Sequence, residues 1–166
     1  TMSYWIVLSC TAVIELYVLR RLRFDWLTVA IVLAGAVVCT DYLAYTSVAE
    51  RNYDGPSHIE YVESIAQNVR LPDVYACVAC GHPPLYYALA ALWSKVLPGA
   101  QGMPLELRLQ WLSLLLFFGF VVFSLLIVRS CTGRVLTQRL AAALIVFWPS
   151  SIINSVRVHN DALASL

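Results

Sequence analysis

The chain has 166 residues, 60% of them hydrophobic and only 13% charged, with a mean hydropathy of +0.73 and a net charge of +1. A soluble domain carries about 45–50% apolar and about 25% charged residues, so the composition excludes an ordinary soluble domain and points to an integral membrane protein. No basic run supports nucleic acid as a partner, and five scattered cysteines exclude a disulfide-dense scaffold.

The first apolar run covers about Ser3 to Leu19 and is followed at once by Arg20, Arg21 and Arg23. It lacks a basic leader and a small-residue cleavage site, so it reads as an anchor rather than a signal peptide. The start at Thr1 and the end at Leu166, without a terminator signal, suggest a fragment of a longer protein. A second span runs from about Trp26 to Tyr45, a third from about Leu105 to Val128, and a fourth, the shortest, from about Leu140 to Ile153. Each approaches the ~20 apolar residues of a bilayer crossing. The expected fold is therefore all-α and polytopic, with four transmembrane helices. Residues 1–46 hold the first two spans, 47–104 an extracytoplasmic loop, and 105–166 the third and fourth spans with the start of another outer segment.

Arginines orient the spans. Arg20, Arg21 and Arg23 share one short loop, and Arg129, Arg134 and Arg139 share another. The positive-inside tendency makes both cytoplasmic and places residues 47–104 outside. Glu15, near the inner end of the first span, is a candidate partner for the Arg20 cluster.

The outer segment predicts two interfacial helices. Ser57-His58-Ile59-Glu60 has capping-box spacing, and Val62, Ile65, Ala66 and Val69 then recur at helical spacing opposite Glu60, Glu63, Gln67 and Asn68. His58 shares the apolar face. Leu71-Pro72-Asp73 ends this helix. A second helix opens at Pro84 and runs to about Val96, too short to cross.

The segment beginning Asn52-Tyr53-Asp54-Gly55-Pro56 collects the polar chemistry. An Asp follows a span, a His-x-x-Tyr helix ends in Leu-Pro, His82-Pro83-Pro84-Leu85-Tyr86-Tyr87 opens the second helix, and Glu106-Leu107-Arg108 stands at the next span's outer end. This order resembles the N-terminal part of the GT-C membrane glycosyltransferases, in the branch of protein O-mannosyltransferases and aminoarabinose transferases. The resemblance covers about Ser47 to Trp111, and beyond that rests on hydropathy and Asn160-Asp161. It implies a transferase that takes a sugar from a polyprenyl-phosphate donor to a hydroxyl acceptor, in a bacterial inner membrane with the active loop outside. Asp54 would be the catalytic base. Gly55 replaces the acidic residue usual after that Asp, and His82 stands where the aminoarabinose branch has Lys, which leaves sugar and acceptor open.

Each residue also has a plainer explanation. Asp54 is a good helix cap before Gly-Pro-Ser. His58 and His82 are candidates to position acceptor or donor, or simply interface histidines. Arg157, His159 and Asp161 cluster after the fourth span, where a cation would steady the leaving phosphate, or they snorkel at a span end. Arg108 either joins the substrate site or anchors the interface. Cys77-x-x-Cys80-x-His82 allows a disulfide, free thiols or a metal, but supplies only three ligands where zinc takes four. No metal site is assigned, although a divalent metal is left open. Cys10, Cys39 and Cys131 read as packing residues. No Gly-rich phosphate loop, Gly-x-Ser-x-Gly or His-Glu-x-x-His occurs, so a soluble-type nucleotide-sugar site is not indicated. Membrane lipid is an expected partner. The alternative reading is a non-catalytic subunit packed against other membrane subunits.

Overall fold

The computed structural model describes residues 2–47, 50, 54–96 and 103–164. Asn52 and Tyr53, which begin the polar segment, lie outside them. All regular structure among the described residues is helical.

Helices α1 (Met2–Arg21) and α2 (Trp26–Tyr45) form an antiparallel hairpin. Asp25 starts α2, its carboxylate accepting from the backbone of Leu27 and Thr28 at 3.1 and 3.3 Å. After the polar segment come α3 (Gly55–Asn68), a single 3-10 turn at Val78–Gly81, and α4 (Leu85–Val96). The long α5 (Leu105–Cys131) then returns alongside α1, and α6 (Val135–Phe147) runs back against α2. Two short helices, α7 (Pro149–Ser155) and α8 (Asp161–Ala164), follow.

Among the described residues α2 and α5 are long and apolar enough to cross a membrane, and α6 with α7 makes a third if the pair counts as one span. Helix α1 has the expected extent but carries Glu15, Arg20 and Arg21 and is not among them. The expected continuous fourth span is broken: α6 and α7 meet at 59°. Pro149 is the cause, since its ring and missing N–H stop a helix but suit the first turn of a new one. Large apolar side chains face outward from these helices, including Val13, Ile14 and Tyr17 on α1 and the stripe Leu136, Leu140 and Leu144 on α6. A stripe at this spacing facing outward is the reverse of a soluble helix and suits a lipid surround.

Packing divides into two clusters. One lies between α1, α2, α5 and α6, with Val32, Ala36, Leu43, Leu114, Val121 and Val146 buried. Gly35 lets α2 approach α6: a Cβ added there would sit 2.6 Å from Val146 Cβ. Close approach through a small residue is a common way for membrane helices to pack. Gly35→Ala is therefore expected to cost about 1–3 kcal/mol, the range for overpacking. Thermal unfolding in lipid nanodiscs measures the loss, and adding Val146→Ala should restore most of it.

The arginine-bearing end is tied together by backbone carbonyls and one acid. Arg139 bonds Asp25 Oδ1 at 2.9 and 3.1 Å, Arg129 donates to Leu22 O at 2.7 Å, and Arg20 donates to Phe24 O while lying over the Trp26 ring. Arg20 is thus turned into the hairpin loop rather than toward Glu15. The buried Glu15 carboxylate has no hydrogen-bond partner among the described residues, so the anticipated pairing with the Arg20 cluster does not form.

The second cluster sits at the opposite end. Here α3 packs on α4 and α4 on the start of α5, around Tyr61, Val62, Ala79, Tyr86, Tyr87, Ala90 and Leu109. The polar face of α3 is as expected, with Glu60, Glu63, Gln67 and Asn68 exposed and His58, Tyr61 and Val62 buried. Two local features differ from expectation. The capping box does not form, because α3 begins earlier at Gly55 with Pro56 in its first turn, and the Ser57 hydroxyl donates to Asp54 O at 2.8 Å. Val69 leaves the apolar face because it ends the helix in the left-handed region at φ 52° and is 81% exposed.

Cys77 and Cys80 are joined in a disulfide, which settles the three alternatives and closes the turn before α4. Of the other cysteines Cys39 is buried and Cys10 half-buried, but Cys131 is exposed at the end of α5 and is not a packing residue.

Candidate active site

Asp54 immediately precedes α3, yet its side chain makes no cap hydrogen bond. It turns instead toward the far end of the sequence, where Arg157 Nη2 donates to Asp54 Oδ1 at 2.8 Å. One helical turn on, His58 lies on the same side, its Nε2 3.5 Å from Asp54 Oδ2. The other ring nitrogen, Nδ1, is 2.7 Å from the Tyr87 phenol oxygen. A carboxylate only accepts, so the consistent arrangement has Nε2–H facing Asp54 and the Tyr87 O–H donating to Nδ1. The chain Tyr87–His58–Asp54–Arg157 thus crosses from α4 through α3 to the segment after α7.

His82 joins from the turn before α4, with its ring 5.5 Å from that of His58. His159 enters from the other side. Its Nδ1 is 3.6 Å from Asp161 Oδ2, and its Nε2 donates to Asn154 O at 3.3 Å. Asp54, His58, His82, Arg157, His159 and Asp161, with Asn160, line one cavity of about 150 Å³. Six of the seven side chains singled out from sequence therefore meet there, although Asp54 and Arg157 are 103 positions apart.

Arg108 is not brought to that cavity. Its Nη1 donates to Ser94 O at 2.8 Å, and its own carbonyl accepts from Trp93 Nε1 at 2.9 Å. It braces α4 against α5.

Two residues went unassigned in the sequence reading although they stood in its most prominent motif. Tyr86 and Tyr87 are adjacent on α4, so their side chains point about 100° apart. Tyr87 turns to α3 and holds His58, its ring stacked on Tyr61 at 4.1 Å. Tyr86 turns to α5, bonds Ser113 Oγ at 3.1 Å, and takes a backbone hydrogen bond from His159. Burial pushes the Tyr86 phenol up to about 12 and the Tyr87 phenol upward as well, so both stay protonated as fixed struts.

The charges in the cavity are unequal. Partial burial pushes the Asp54 carboxyl up, but the hydrogen bond and charge of Arg157 outweigh it and hold the group below its ordinary value. Burial lowers His58, with Asp54 opposing only in part, and burial likewise lowers His159. Both imidazoles are therefore neutral near pH 7. The Arg157 guanidinium keeps a buried Nε–H with no hydrogen-bond partner among the described residues, a donor with unused capacity beside the cavity. No group of three or more His, Cys, Asp or Glu side chains among the described residues is arranged to hold a metal ion.

These shifts give a stability slope. An unfolded histidine titrates near 6.5, and both buried ones titrate lower, so below 6.5 the unfolded chain binds more protons than the folded one. Their contribution is complete above pH 6.5 and is lost as pH falls through the folded values. Asp54 acts in the same direction at lower pH. The melting temperature in nanodiscs should therefore fall between about pH 7 and about pH 5. A constant or rising value would contradict neutral, buried imidazoles.

No protein-family model, curated protein or solved structure matches the chain.

Proposed function

We propose that the chain carries the acceptor-activating part of a membrane glycosyltransferase that uses a polyprenyl-phosphate sugar. Four helices, α1, α2, α5 and the bent α6–α7 pair, cross the bilayer in this reading. The two arginine loops face the cytoplasm, and the α3–α4 layer lies on the outer surface of a bacterial inner membrane. The Cys77–Cys80 disulfide supports that side, because such bonds persist in oxidising compartments.

The observation that carries the reading is the Asp54–Arg157 pair in a cavity with three histidines. Glycosyl transfer needs a base at the acceptor hydroxyl and a cation at the departing phosphate, and these two residues are of the required kinds at the required proximity. In one displacement the acceptor oxygen attacks the anomeric carbon. The bond from that carbon to the phosphate oxygen breaks, polyprenyl phosphate leaves with the electron pair, and the acceptor proton passes to Asp54. His58, fixed by Tyr87, orients the carboxylate, while His82 and His159 border the reacting groups.

As it stands the pair is a resting arrangement, since a carboxylate held below its ordinary value by a guanidinium is a weak base. A lipid phosphate arriving at Arg157 offers the guanidinium a stronger anionic partner, well suited to its fork of donors. Its Nε–H, without a partner among the described residues, adds to that pull. Asp54, released from Arg157 but still partly buried, then rises toward a useful basicity. Base activation is in this way tied to donor arrival.

The test is turnover of polyprenyl-phosphate sugars by the complete protein in its membrane or in lipid nanodiscs. Polyprenyl phosphate should be released in step with a glycosylated acceptor. Absence of both turnover and lipid-phosphate binding would sink the reading and favour a non-catalytic subunit of a membrane complex.

A further inference from the structure

A second cavity, of about 220 Å³, lies between α5 and α7. Its α5 wall is Ser113, Phe117 and Phe120, and its α7 wall is Ser150, Ser151, Asn154 and Ser155. It ends at His159 and Asp161, which also line the first cavity, so the two share a boundary.

The break at Pro149 produces this wall. Positions 150, 151, 154 and 155 fall on one side of a helix, and the 59° bend aims that side at α5. A short helix packed against apolar spans would normally turn its Ile residues inward. Here Ile152 packs against the core between the spans, but Ile153 is exposed and the hydroxyls and the amide line the cavity. Ser113 and Ser155 are buried, and polar groups removed from water need hydrogen-bond partners, whereas Ser150 and Asn154 are exposed and Ser151 is half-buried. Ser155 bonds Ile152 O, and Ser113 bonds Tyr86 and Leu109 O. The side chains of Ser150, Ser151 and Asn154 have no such bond among the described residues and are available to an occupant.

We propose that this cavity seats the ring of the transferred sugar, an inference that rests on the transferase reading above. The chemistry selects a neutral polyhydroxylated ring. Hydroxyl and amide groups on α7 match a rim of sugar hydroxyls, and the Phe117–Phe120 wall, with ring centroids 6.3 Å apart, matches the C–H face of a pyranose or furanose. A phosphate is a poor occupant, because the wall offers no Arg or Lys. An isoprenoid chain is a poor occupant because the α7 wall is polar. A ring placed here puts its anomeric carbon at the His159–Asp161 boundary, with the phosphate toward Arg157 and the acceptor toward Asp54.

The test compares two probes on the intact protein in nanodiscs, polyprenyl phosphate alone and a panel of polyprenyl-phosphate monosaccharides, with Asn154→Leu and the milder Ser151→Ala. The expected result is roughly tenfold weaker binding of the sugar-bearing lipid to Asn154→Leu, the value of one or two hydrogen bonds. Ser151→Ala should show a smaller loss, and the bare lipid phosphate should bind both variants as it binds wild type. Equal weakening of both probes would assign the cavity to the lipid and overturn the proposal. Unchanged binding of both would overturn it while leaving the transferase reading intact. Wild-type protein that binds neither probe would overturn both. An unchanged melting temperature of each variant in nanodiscs serves as the separate check on folding.

Discussion

Asp54→Asn, which removes the proposed base, is expected to lower the proposed glycosyl transfer by about 10²–10⁴-fold, the usual contribution of a positioned base, while leaving the fold in place. The structural reason is that the Asp54 side chain caps nothing. A cap removed from α3 would melt its first turn, but here the carboxylate is committed to Arg157 and His58. The Asn amide oxygen can still accept from Arg157, so the change deletes the charge and retains the shape. About a third of the Asp54 side chain is exposed, and the lost ion pair should cost no more than about 1 kcal/mol. The decisive comparison is transfer against melting temperature in the same preparation. Loss of activity with an unchanged melting curve supports the base. Retained turnover would refute the assignment.

Arg157→Lys is the second large effect, and it separates charge from geometry. Lysine keeps the cation but loses the planar fork that grips phosphate through paired N–H groups. Transfer should fall by about 10²-fold or more, the scale for removing one pre-organised donor at developing negative charge. The pH profile carries more information than the rate. Arg157 now holds Asp54 below its ordinary value against the upward push of burial. A looser cation lets the carboxyl rise in the unliganded protein, so the acid limb of the kcat/KM profile should move to higher pH. A purely structural role for Arg157 would lower activity without displacing that limb.

The helices were more legible than their joints. Apolar runs marked α2 and α5 within a few residues, because hydropathy summed over a span-length stretch is insensitive to local detail. The same summation hid the bend, since Trp148-Pro149 lies inside the stretch that read as a fourth span. Two local rules competed at α3, the Ser57-x-x-Glu60 spacing and the preference of Pro for the first turn. The proline won because its fixed φ had already begun the helix at Gly55. In the site, Asp54 and His58 could be paired from their four-residue spacing alone. Nothing in local sequence separates Arg157, which reaches the cavity, from Arg108, which ties α4 to α5. That distinction depends on the path of α7 after the bend at Pro149, which falls inside the stretch expected as one span. Tyr86 and Tyr87 were visible as a motif, but which phenol reaches α3 depends on the angular position of α4 between its two neighbours.

The bond from Asp54 to Arg157 also has a biosynthetic meaning. The ribosome adds about 5–20 residues each second. The 103 positions between the two residues therefore separate their appearance by roughly 5–20 s. During that interval Asp54 is already part of the growing chain, while Arg157, which complements it, has yet to be translated. The first hairpin and the α3–α4 layer can form early, but the Asp54 carboxylate acquires its counter-ion only when the segment beyond α7 is delivered. The Asp54–Arg157 contact therefore closes only after α1 to α7 have been made.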